Sequence, residues 1–429
     1  MKSAKLAAAL FLLCSSILAH DYVPADEQDH PILLVGGNLF TVSGDVLNGT
    51  DLLFDNGIIT QIGRDLVAPP RCEIIDVTGK NVYPGLIAPV TSLGLIEIGA
   101  VRATNDRHEM GRMTPEVKAH TAYNPDSEII PTIRANGVTT VQVAPDGRLI
   151  YGRSCILNLD GWTVEDAAIK LVDAMHMDWP RASVVRAWWE SRSAEEQRRD
   201  MRQNLDAIKQ VFEDARTFAK ARALDPTTPL DLRLDALVPV VKGEIPLFVG
   251  ANDCRQIEQA VLFCKEQGIR MVLVGGREAW KVTDLLKENS TPVIYGSMLS
   301  LPMRQDYAYD VPFKVPKVLK DAGVQFCIAV FSATGVRNLP FNTGQAVAYG
   351  LDHADALRAV TLSTAEILGI DDQQGSLEIG KKATLIVSEG DILDYLGHRV
   401  TTMFIDGRAV DLDSKHKELN RKYRAKRVR

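Results

Sequence analysis

The sequence predicts an α/β protein whose central part is a (β/α)8 TIM-type barrel. Continuous apolar runs begin at residues 245, 270, 292 and 325, so they recur every 22 to 33 residues. The first three runs are followed by helical or loop-plus-helix stretches. This spacing is typical of βα units, and continuous apolarity is typical of parallel strands that are covered on both faces. We therefore interpret the four runs as the second half of a barrel.

The first half of the barrel is less regular. Residues 139–143 and 155–159 are candidates for early strands, and the fourth strand is placed near residues 232–241. Between them, residues 193–224 have the pattern of one long helix, because Ser193 and Glu196 have the spacing of a capping box. One face of this helix is charged, which favours a helix that covers the barrel over one that binds a partner.

Both ends of the chain have the pattern of small antiparallel strands. Short apolar runs at 32–35, 39–42, 51–54 and 58–62 are separated by Gly, Asn and Asp, and Asp55-Asn56-Gly57 is a strong hairpin signal. Segments 375–387 and 402–408 have the same character near the other end. Short strands of this kind need partners to form a stable sheet.

Residues 1–19 have the pattern of a secretory signal peptide. Lys2 and Lys5 precede the apolar run 6–13, and the segment ends in the small residue Ala19. The apolar run is shorter than the roughly 18 residues that a spanning helix needs. We therefore expect an exported protein, either periplasmic or secreted. The remaining 410 positions of the 429, with 46% apolar content overall, are enough for a barrel and a smaller β unit.

The charge distribution is uneven along the chain. The formal net charge is -6, yet residues 414–429 carry eight Lys or Arg against one Glu. A basic tail at 413–429 is compatible with an anionic membrane or a nucleic acid, but we expect a solvated, frayed segment and no nucleic-acid partner. The cysteines outside the leader lack Cys-x-x-Cys spacing, so we expect them to be mostly buried thiols.

The stretch 82–94 carries a family resemblance. Its sequence, VYPGLIAPVTSLG, places an apolar run after a Pro-Gly turn. It resembles the first barrel strand of the amidohydrolase superfamily, whose pattern is Pro-Gly, two apolar residues, and then Asp-x-His-x-His-x-Gly. In this chain the Asp position is Ala88, and the two His positions are Val90 and Ser92. The chain is also similar to imidazolone-processing amidohydrolases at residues 243–246, 275–281, 337–340 and 346–351.

This resemblance implies a barrel at 85–372 flanked by a small β-sandwich built from 31–84 and 373–412. It also implies zinc or another divalent metal, held by the His pair of strand one, by a His after each of strands five and six, and by an Asp after strand eight. The last three positions correspond here to Gly250, Gly275 and Phe331. We therefore predict no metal or other cofactor for this chain, and its catalytic residues are unknown.

The implied family function is hydrolysis of carbon–nitrogen bonds other than peptide bonds. The alternative is a noncatalytic pseudoenzyme that binds a small molecule or supports an active paralogous amidohydrolase subunit, as a homo-oligomer or hetero-oligomer. A metal-independent hydrolase using Ser92 or a cysteine is disfavoured, because no His lies near either in a triad-like setting. Whether the chain alone is an enzyme stays open, and we predict that it is inactive.

Arginines that follow barrel strands are candidates for substrate binding. Arg148 and Arg153 follow the second candidate strand, and Arg277 and Arg337 follow later strands. Arginine binds carboxylates with two parallel hydrogen bonds. The equally weighted alternative is that they form salt bridges that close the top of the barrel. The loop 102–109, which contains His108, two carboxylates and two arginines, is expected to be a solvated polar loop.

Overall fold

The computed structural model describes residues 23–427. The predicted signal peptide at 1–19 lies outside the described residues. In the described part of the chain, no helix has the length and apolarity needed to cross a membrane.

The strands and helices are numbered here in chain order. The strands are Ile32–Phe40 (β1), Val46–Asp55 (β2), Ile58–Gly63 (β3), Glu73–Asp76 (β4), Asn81–Pro84 (β5), Leu86–Thr91 (β6), Val138–Val143 (β7), Ile150–Arg153 (β8), Cys155–Asn158 (β9), Ala168–Lys170 (β10), Met175–Asp178 (β11), Leu247–Ala251 (β12), Met271–Gly275 (β13), Val293–Tyr295 (β14), Phe326–Ile328 (β15), Leu385–Ser388 (β16), Val400–Ile405 (β17) and Arg408–Ala409 (β18). The helices are Ile130–Arg134 (α1), Val164–Ala167 (α2), Ala194–Leu224 (α3), Leu232–Val241 (α4), Cys254–Gln267 (α5), Thr283–Glu288 (α6), Val311–Ala322 (α7), Leu339–Ala348 (α8), His353–Arg358 (α9), Leu362–Leu368 (α10) and Lys415–Arg427 (α11).

Within residues 23–427, strands from both ends of the chain form one eight-stranded sheet. Its order is β18-β17-β16-β5-β1-β2-β3, with β4 paired to β1. The two ends meet where β16 pairs antiparallel with β5, with Ile386 opposite Tyr83. The predicted hairpin joins β2 to β3, and Asn56 and Gly57 have the positive φ angles, 49° and 74°, that a two-residue hairpin turn of this kind requires. The expectation that both ends contribute to one β unit beside the barrel is confirmed.

The barrel consists of two hydrogen-bonded sheets that join at both edges. One has the order β10-β9-β7-β6 and the other the order β15-β14-β13-β12-β11-β8. β8 and β9 are separated only by Ser154, so they form one run between β7 and β11. At the other edge, the Ile328 amide donates to the Ala359 carbonyl at 3.0 Å, and the Ile87 amide donates to the Val360 carbonyl at 2.9 Å. Residues 359–360 therefore bridge β15 and β6 and close the barrel.

The structure corrects the position of the fourth barrel strand. Residues 232–241 form helix α4 instead of a strand, and the side chain of Asp231 caps it by accepting from the Arg233 and Leu234 amides. The strand beside β12 is β11, which sequence reasoning missed because its four residues include His176 and Asp178 and give no continuous apolar run. The early strand predicted at 155–159 is present as β9, but it runs antiparallel to β7.

The barrel interior is apolar on most strands. One buried cluster includes an inward residue from each of several strands, with helix α10 packed against it: Ile87, Ile156, Phe248, Val272, Ile294, Cys327, Ala365 and Leu368. The prediction of mostly buried thiols is confirmed, since Cys155, Cys264 and Cys327 are buried and the five described cysteines are free.

Helices α3 and α11 are both polar, but they differ in how much of their surface is buried against the rest of the protein. The capping box predicted for the first is confirmed, because Ser193 Oγ accepts from the Glu196 amide at 3.2 Å and Glu196 accepts from the Ser193 amide at 2.7 Å. Helix α3 buries Ile208 and Phe212 against the barrel. The basic tail forms helix α11, so the expectation of a frayed segment was wrong. None of its residues is buried.

Candidate functional site

A wide cleft opens at the carboxyl ends of β11, β12 and β13. Its volume is about 1170 Å³. Asp178, Gly250 and Asn252 line it directly after or at the ends of these strands. We call it the mouth cleft. Its other lining residues come from loops and from helices α3 and α5: Arg112, Arg148, Leu149, Trp179, Pro180, Arg181, Ala182, Ser183, Val185, Trp189, Arg192, Asp200, Gln203, Asn204, Asp253, Gln256, Arg277 and Met303. Ligand sites of parallel barrels lie at this end of the strands.

The lining of the mouth cleft is rich in arginine. Five arginines lie against three aspartates, which leaves a positive excess. Two of the arginines are adjacent in space, because the Leu149 amide donates to the Arg112 carbonyl at 3.1 Å and so places Arg148 beside Arg112. Both side chains are exposed, and neither forms an ion pair with any residue between 23 and 427. Their guanidinium groups are therefore available to an anionic ligand.

The remaining cleft arginines are more constrained. Arg277 donates from Nη2 to the Leu301 carbonyl at 2.5 Å, which orients its guanidinium along the rim. Arg192 forms ion pairs with Glu190 at 2.7 Å and with Asp200 at 3.2 Å. These contacts make Arg192 a structural part of the loop before α3.

Asp178 is the carboxylate at the strand end of the cleft. Burial raises its pKa to about 6, while the Tyr151 hydroxyl donates to its Oδ1 at 3.5 Å. The same oxygen lies where a side chain on the neighbouring strand would begin, because a Cβ added to Gly250 would lie 2.1 Å from it. Asp178 thus occupies the space beside β12, the fifth barrel strand, where a ligand side chain at position 250 would lie.

A second cavity, of about 550 Å³, lies at the ends of β6 and β15 and shares no lining residue with the mouth cleft. Ser92, Arg107 and Phe331 line it. The Phe331 ring, 36% exposed, lies across the end of β14, since a Cβ added to Gly296 would lie 2.2 Å from a ring carbon. The Phe331 ring therefore fills part of the barrel mouth beside β15, the eighth barrel strand.

A polar network lies beneath Val90 inside the barrel. The Val90 amide, in a backbone with φ of 51°, donates to Gln142 Oε1 at 3.1 Å. Gln142 in turn donates from Nε2 to the Asp173 carboxylate and to Ser154 Oγ. Burial raises the pKa of Asp173 to about 6. Gln142 thereby holds the distorted end of the first barrel strand, β6, in place.

His176 lies one layer below Asp178 on β11. Its ring is 5.0 Å from the Phe248 ring and 6.1 Å from the Tyr151 ring, and its Nε2 is buried without a hydrogen-bond partner. Burial lowers the pKa of His176 from 6.5 to about 3. The imidazole is therefore neutral at physiological pH.

Replacing His176 by Leu is expected to make stability less sensitive to acid. The folded pKa lies below the unfolded value, so this group contributes stability above about pH 6.5 that is lost as the pH falls toward 3. At about pH 4 the loss amounts to about 3 kcal/mol. Urea unfolding at neutral pH and at about pH 4 should show the wild type losing that much more than His176→Leu. An unfolding free-energy difference between the two proteins that is independent of pH would contradict this prediction.

One cluster in the described chain has side chains that could hold a metal ion. Oxygen and sulfur atoms of Asp253, Cys254 and Glu278 lie within 4.8 Å of one another. Arg304 already bridges the two carboxylates, donating to Asp253 Oδ2 and to Glu278 Oε1 at 2.7 Å each. Burial opposes ionisation of Glu278, but hydrogen bonds from Arg304 and Tyr307 hold its pKa at about 2. A cation entering this cluster would have to displace the Arg304 guanidinium.

Comparison with known proteins identifies the family. The sequence profile described as "Amidohydrolase family" matches residues 253–411. An amidohydrolase structure from Thermotoga maritima superposes with a TM-score of 0.78 at 25% identity, over 89% of this chain and 99% of that one. The chain matches the amidohydrolase family over residues 253–411 and is similar to an amidohydrolase over most of its length. Imidazolonepropionase from Geobacillus kaustophilus is 26% identical over 420 residues, which cover 87% of this chain and 92% of that protein.

Other similarities to amidohydrolase-superfamily proteins are local or structural only. Human dihydropyrimidinase-related protein 5 is 44% identical over 61 residues, so the chain spans about 10% of that relative's length. The structure of molinate hydrolase matches with a TM-score of 0.57 at 16% identity, over 90% of this chain and 96% of that one. The latter similarity shows the shared fold.

Amidohydrolases are generally metal-dependent, so the fit of a metal can be tested residue by residue. Val90, Gly250, Gly275 and Phe331 offer no side-chain lone pair, and Ser92 offers only a hydroxyl. At two positions other side chains take the place of a ligand, because added Cβ atoms at Gly250 and Gly275 would lie 2.1 Å and 2.6 Å from side-chain oxygens of Asp178 and Asn252. The side chains at these five positions do not fit the four histidines and one aspartate that the family resemblance implies as metal ligands.

The structure places the candidate arginines in different surroundings. Arg148 and Arg277 line the mouth cleft, and their role in substrate binding stays a prediction. Arg153 donates instead to the Glu116 carbonyl at 3.2 Å, and it is not among the residues that line the cleft. Arg337 is likewise absent from the cleft lining, and its carbonyl accepts from Asn136 at 2.7 Å.

The sequence also left part of the site undetected. Arg112 and Arg181 lie in loops and follow no spacing rule, so only the fold brings them to the cleft that Arg148 and Arg277 also line. The loop at 102–109 contributes an ion pair between Arg107 and Asp146 at 3.4 Å, and Arg107 lines the second cavity.

Proposed function

We propose that this chain is a metal-free amidohydrolase relative that binds a small anionic molecule in its mouth cleft and hydrolyses no carbon–nitrogen bond by itself. The observation that carries the proposal is the contact between the Gly250 position and Asp178. A carboxylate oxygen of Asp178 stands 2.1 Å from where a side chain on β12 would begin, so position 250 has no ligand and Asp178 takes the place that one would occupy.

The chemical consequence follows from what the metal does in hydrolysis. A divalent ion lowers the pKa of its bound water toward neutrality and polarises the scissile carbonyl. Without ligands at Val90, Gly250, Gly275 and Phe331, this chain has no family-type means of producing that nucleophile. His176, a candidate general base by type, has a pKa of about 3 and is shut inside the barrel.

The ligand class follows from the charge of the cleft. Arg112 and Arg148 are exposed, adjacent and unpaired among the described residues, and Arg181 and Arg277 lie on the same lining. Guanidinium groups bind carboxylates through charge-assisted hydrogen bonds. Trp179 and Trp189 add apolar surface beside them. A small molecule with two carboxylate groups and an apolar spacer fits this combination best.

The alternative function is hydrolysis of carbon–nitrogen bonds by this chain, as its family resemblance suggests. Its specific support is the cluster of Asp253, Cys254 and Glu278. That cluster would have to release Arg304 before it accepted a cation, which makes it the weaker candidate. Under our proposal, hydrolysis in the native setting depends on a paralogous subunit with intact metal ligands, and the chain acts after export directed by residues 1–19.

Binding of aliphatic dicarboxylates tests the proposal. Titration calorimetry with succinate, glutarate and adipate should show saturable binding by the purified protein, and the matched neutral diamides should not bind. Added salt should weaken the dicarboxylate interaction because the cleft groups are exposed. Equal binding of acids and diamides, or binding of none of the probes, would count against an anion site in the cleft.

A further inference from the structure

Helix α11 is the most strongly charged surface element in the described chain. Its sequence, KHKELNRKYRAKR, has seven Lys or Arg and one Glu. The rest of the chain is acidic, since the whole protein has a net charge of -6. The helix lies beside α1 and buries none of its residues. Core packing therefore does not explain its composition.

The positive charges of α11 divide into two groups. Arg421 is engaged with Asp413 through contacts of 2.9 and 2.6 Å, Lys415 pairs with Glu418 at 3.0 Å, and Lys417 donates to the Leu412 carbonyl at 2.7 Å. The second group forms no ion pair with any residue in 23–427 and consists of Lys422, Arg424, Lys426 and Arg427. The unpaired charges are concentrated in the last two turns.

Two apolar residues lie on the side of α11 that is turned away from the protein body. Glu418 is half-buried, whereas the other residues of the helix are exposed, so the Glu418 side faces the protein body. At about 100° per residue, Tyr423 lies on the opposite side and Leu419 lies next to it. Both are exposed, Leu419 by 36% and Tyr423 by 58%. Lys426 and Arg427 flank this apolar pair on either side.

We propose that α11 binds the surface of an anionic lipid bilayer. Helices that lie in a membrane interface combine Lys and Arg with a row of apolar residues that enters the headgroup region. The unpaired cations of α11 are complementary to anionic headgroups. Leu419 and Tyr423 favour an anionic membrane over a nucleic acid. A phosphate backbone would bind the cations but would leave the exposed Leu419 side chain without a contact. The inference is independent of the ligand and chemistry of the mouth cleft.

Vesicle flotation of the full chain tests this inference. The protein should float with vesicles of phosphatidylcholine and phosphatidylserine, should bind vesicles of phosphatidylcholine alone far more weakly, and should be released at high salt. Lys422→Glu/Lys426→Glu should lower the partition coefficient at least about twentyfold, from roughly fivefold per charge removed. Leu419→Ser/Tyr423→Ser should lower it while leaving the charge unchanged.

The matched control is Lys209→Glu/Lys220→Glu on α3, which changes the total charge equally at another surface and should bind like the wild type. Because residues 1–19 are the same in every variant, differences between variants report on the helix. Equal loss in the α3 control, binding that ignores anionic lipid, or undiminished binding by Lys422→Glu/Lys426→Glu would overturn the proposal. So would tight binding of labelled DNA or RNA oligonucleotides without vesicle association.

Discussion

Reversing the charge at both Arg112 and Arg148 is expected to abolish dicarboxylate binding in the mouth cleft. Each arginine is exposed and unpaired among the described residues, so its substitution removes a ligand contact without breaking an internal ion pair. A hydrogen bond to a charged group contributes about 1.5 to 3 kcal/mol. Loss of two such contacts should raise the dissociation constant for glutarate at least about hundredfold.

The control for this experiment is Lys209→Glu/Arg233→Glu, which reverses two exposed charges outside the cleft. That variant should bind glutarate within about twofold of the wild type, because neither residue lines the cleft and interactions between exposed charges are weakened by solvent and salt. Both variants should unfold at the temperature of the wild type. If Arg112→Glu/Arg148→Glu binds glutarate as well as the control does, the ligand does not use these arginines and the cleft assignment fails.

Much of the fold could be predicted because its signals are local. The runs at 245, 270, 292 and 325 became strands β12 to β15, and the Asn56-Gly57 turn and the Ser193 capping box formed as expected. The prediction of the fourth strand failed because β11 is short and has a buried His and an exposed Asp among its four residues, so it gives no continuous apolar run. Residues 232–241 are mostly apolar, as the residues of a buried strand would be. They form a helix instead, and the side chain of Asp231 caps its start.

The site was less predictable because its parts are distant in sequence. Arg277 lies two positions after the end of β13, and this position is why the sequence made it a candidate. Arg112 lies near Arg148 because the Leu149 amide donates to the Arg112 carbonyl between two loops, which no spacing pattern encodes. The obstruction of position 250 by Asp178 depends on the register of β11 against β12, in which Asp178 pairs with Gly250. Since β11 itself was missed, that contact could not be foreseen.

The purified chain is expected to be free of stoichiometric metal and to hydrolyse no amide, cyclic amide or amidine above background. Val90, Gly250, Gly275 and Phe331 cannot coordinate, and the hydroxyl of Ser92 alone is a weak ligand. Arg304 neutralises the carboxylates of the cluster at Asp253 and Glu278, so that cluster should not substitute for the family site. Addition of zinc, manganese or iron should therefore leave the hydrolysis rate unchanged.

Metal analysis by mass spectrometry, combined with hydrolysis assays before and after chelation, tests this central claim most directly. An active amidohydrolase with intact histidines, handled in parallel, shows that the assay detects metal and turnover. A Cys254→Ala variant shows whether any metal found belongs to the Asp253 cluster. Our account predicts well below one equivalent of metal per chain and no turnover that chelation removes. Near-stoichiometric zinc, manganese or iron, lost together with hydrolysis on chelation, would contradict it.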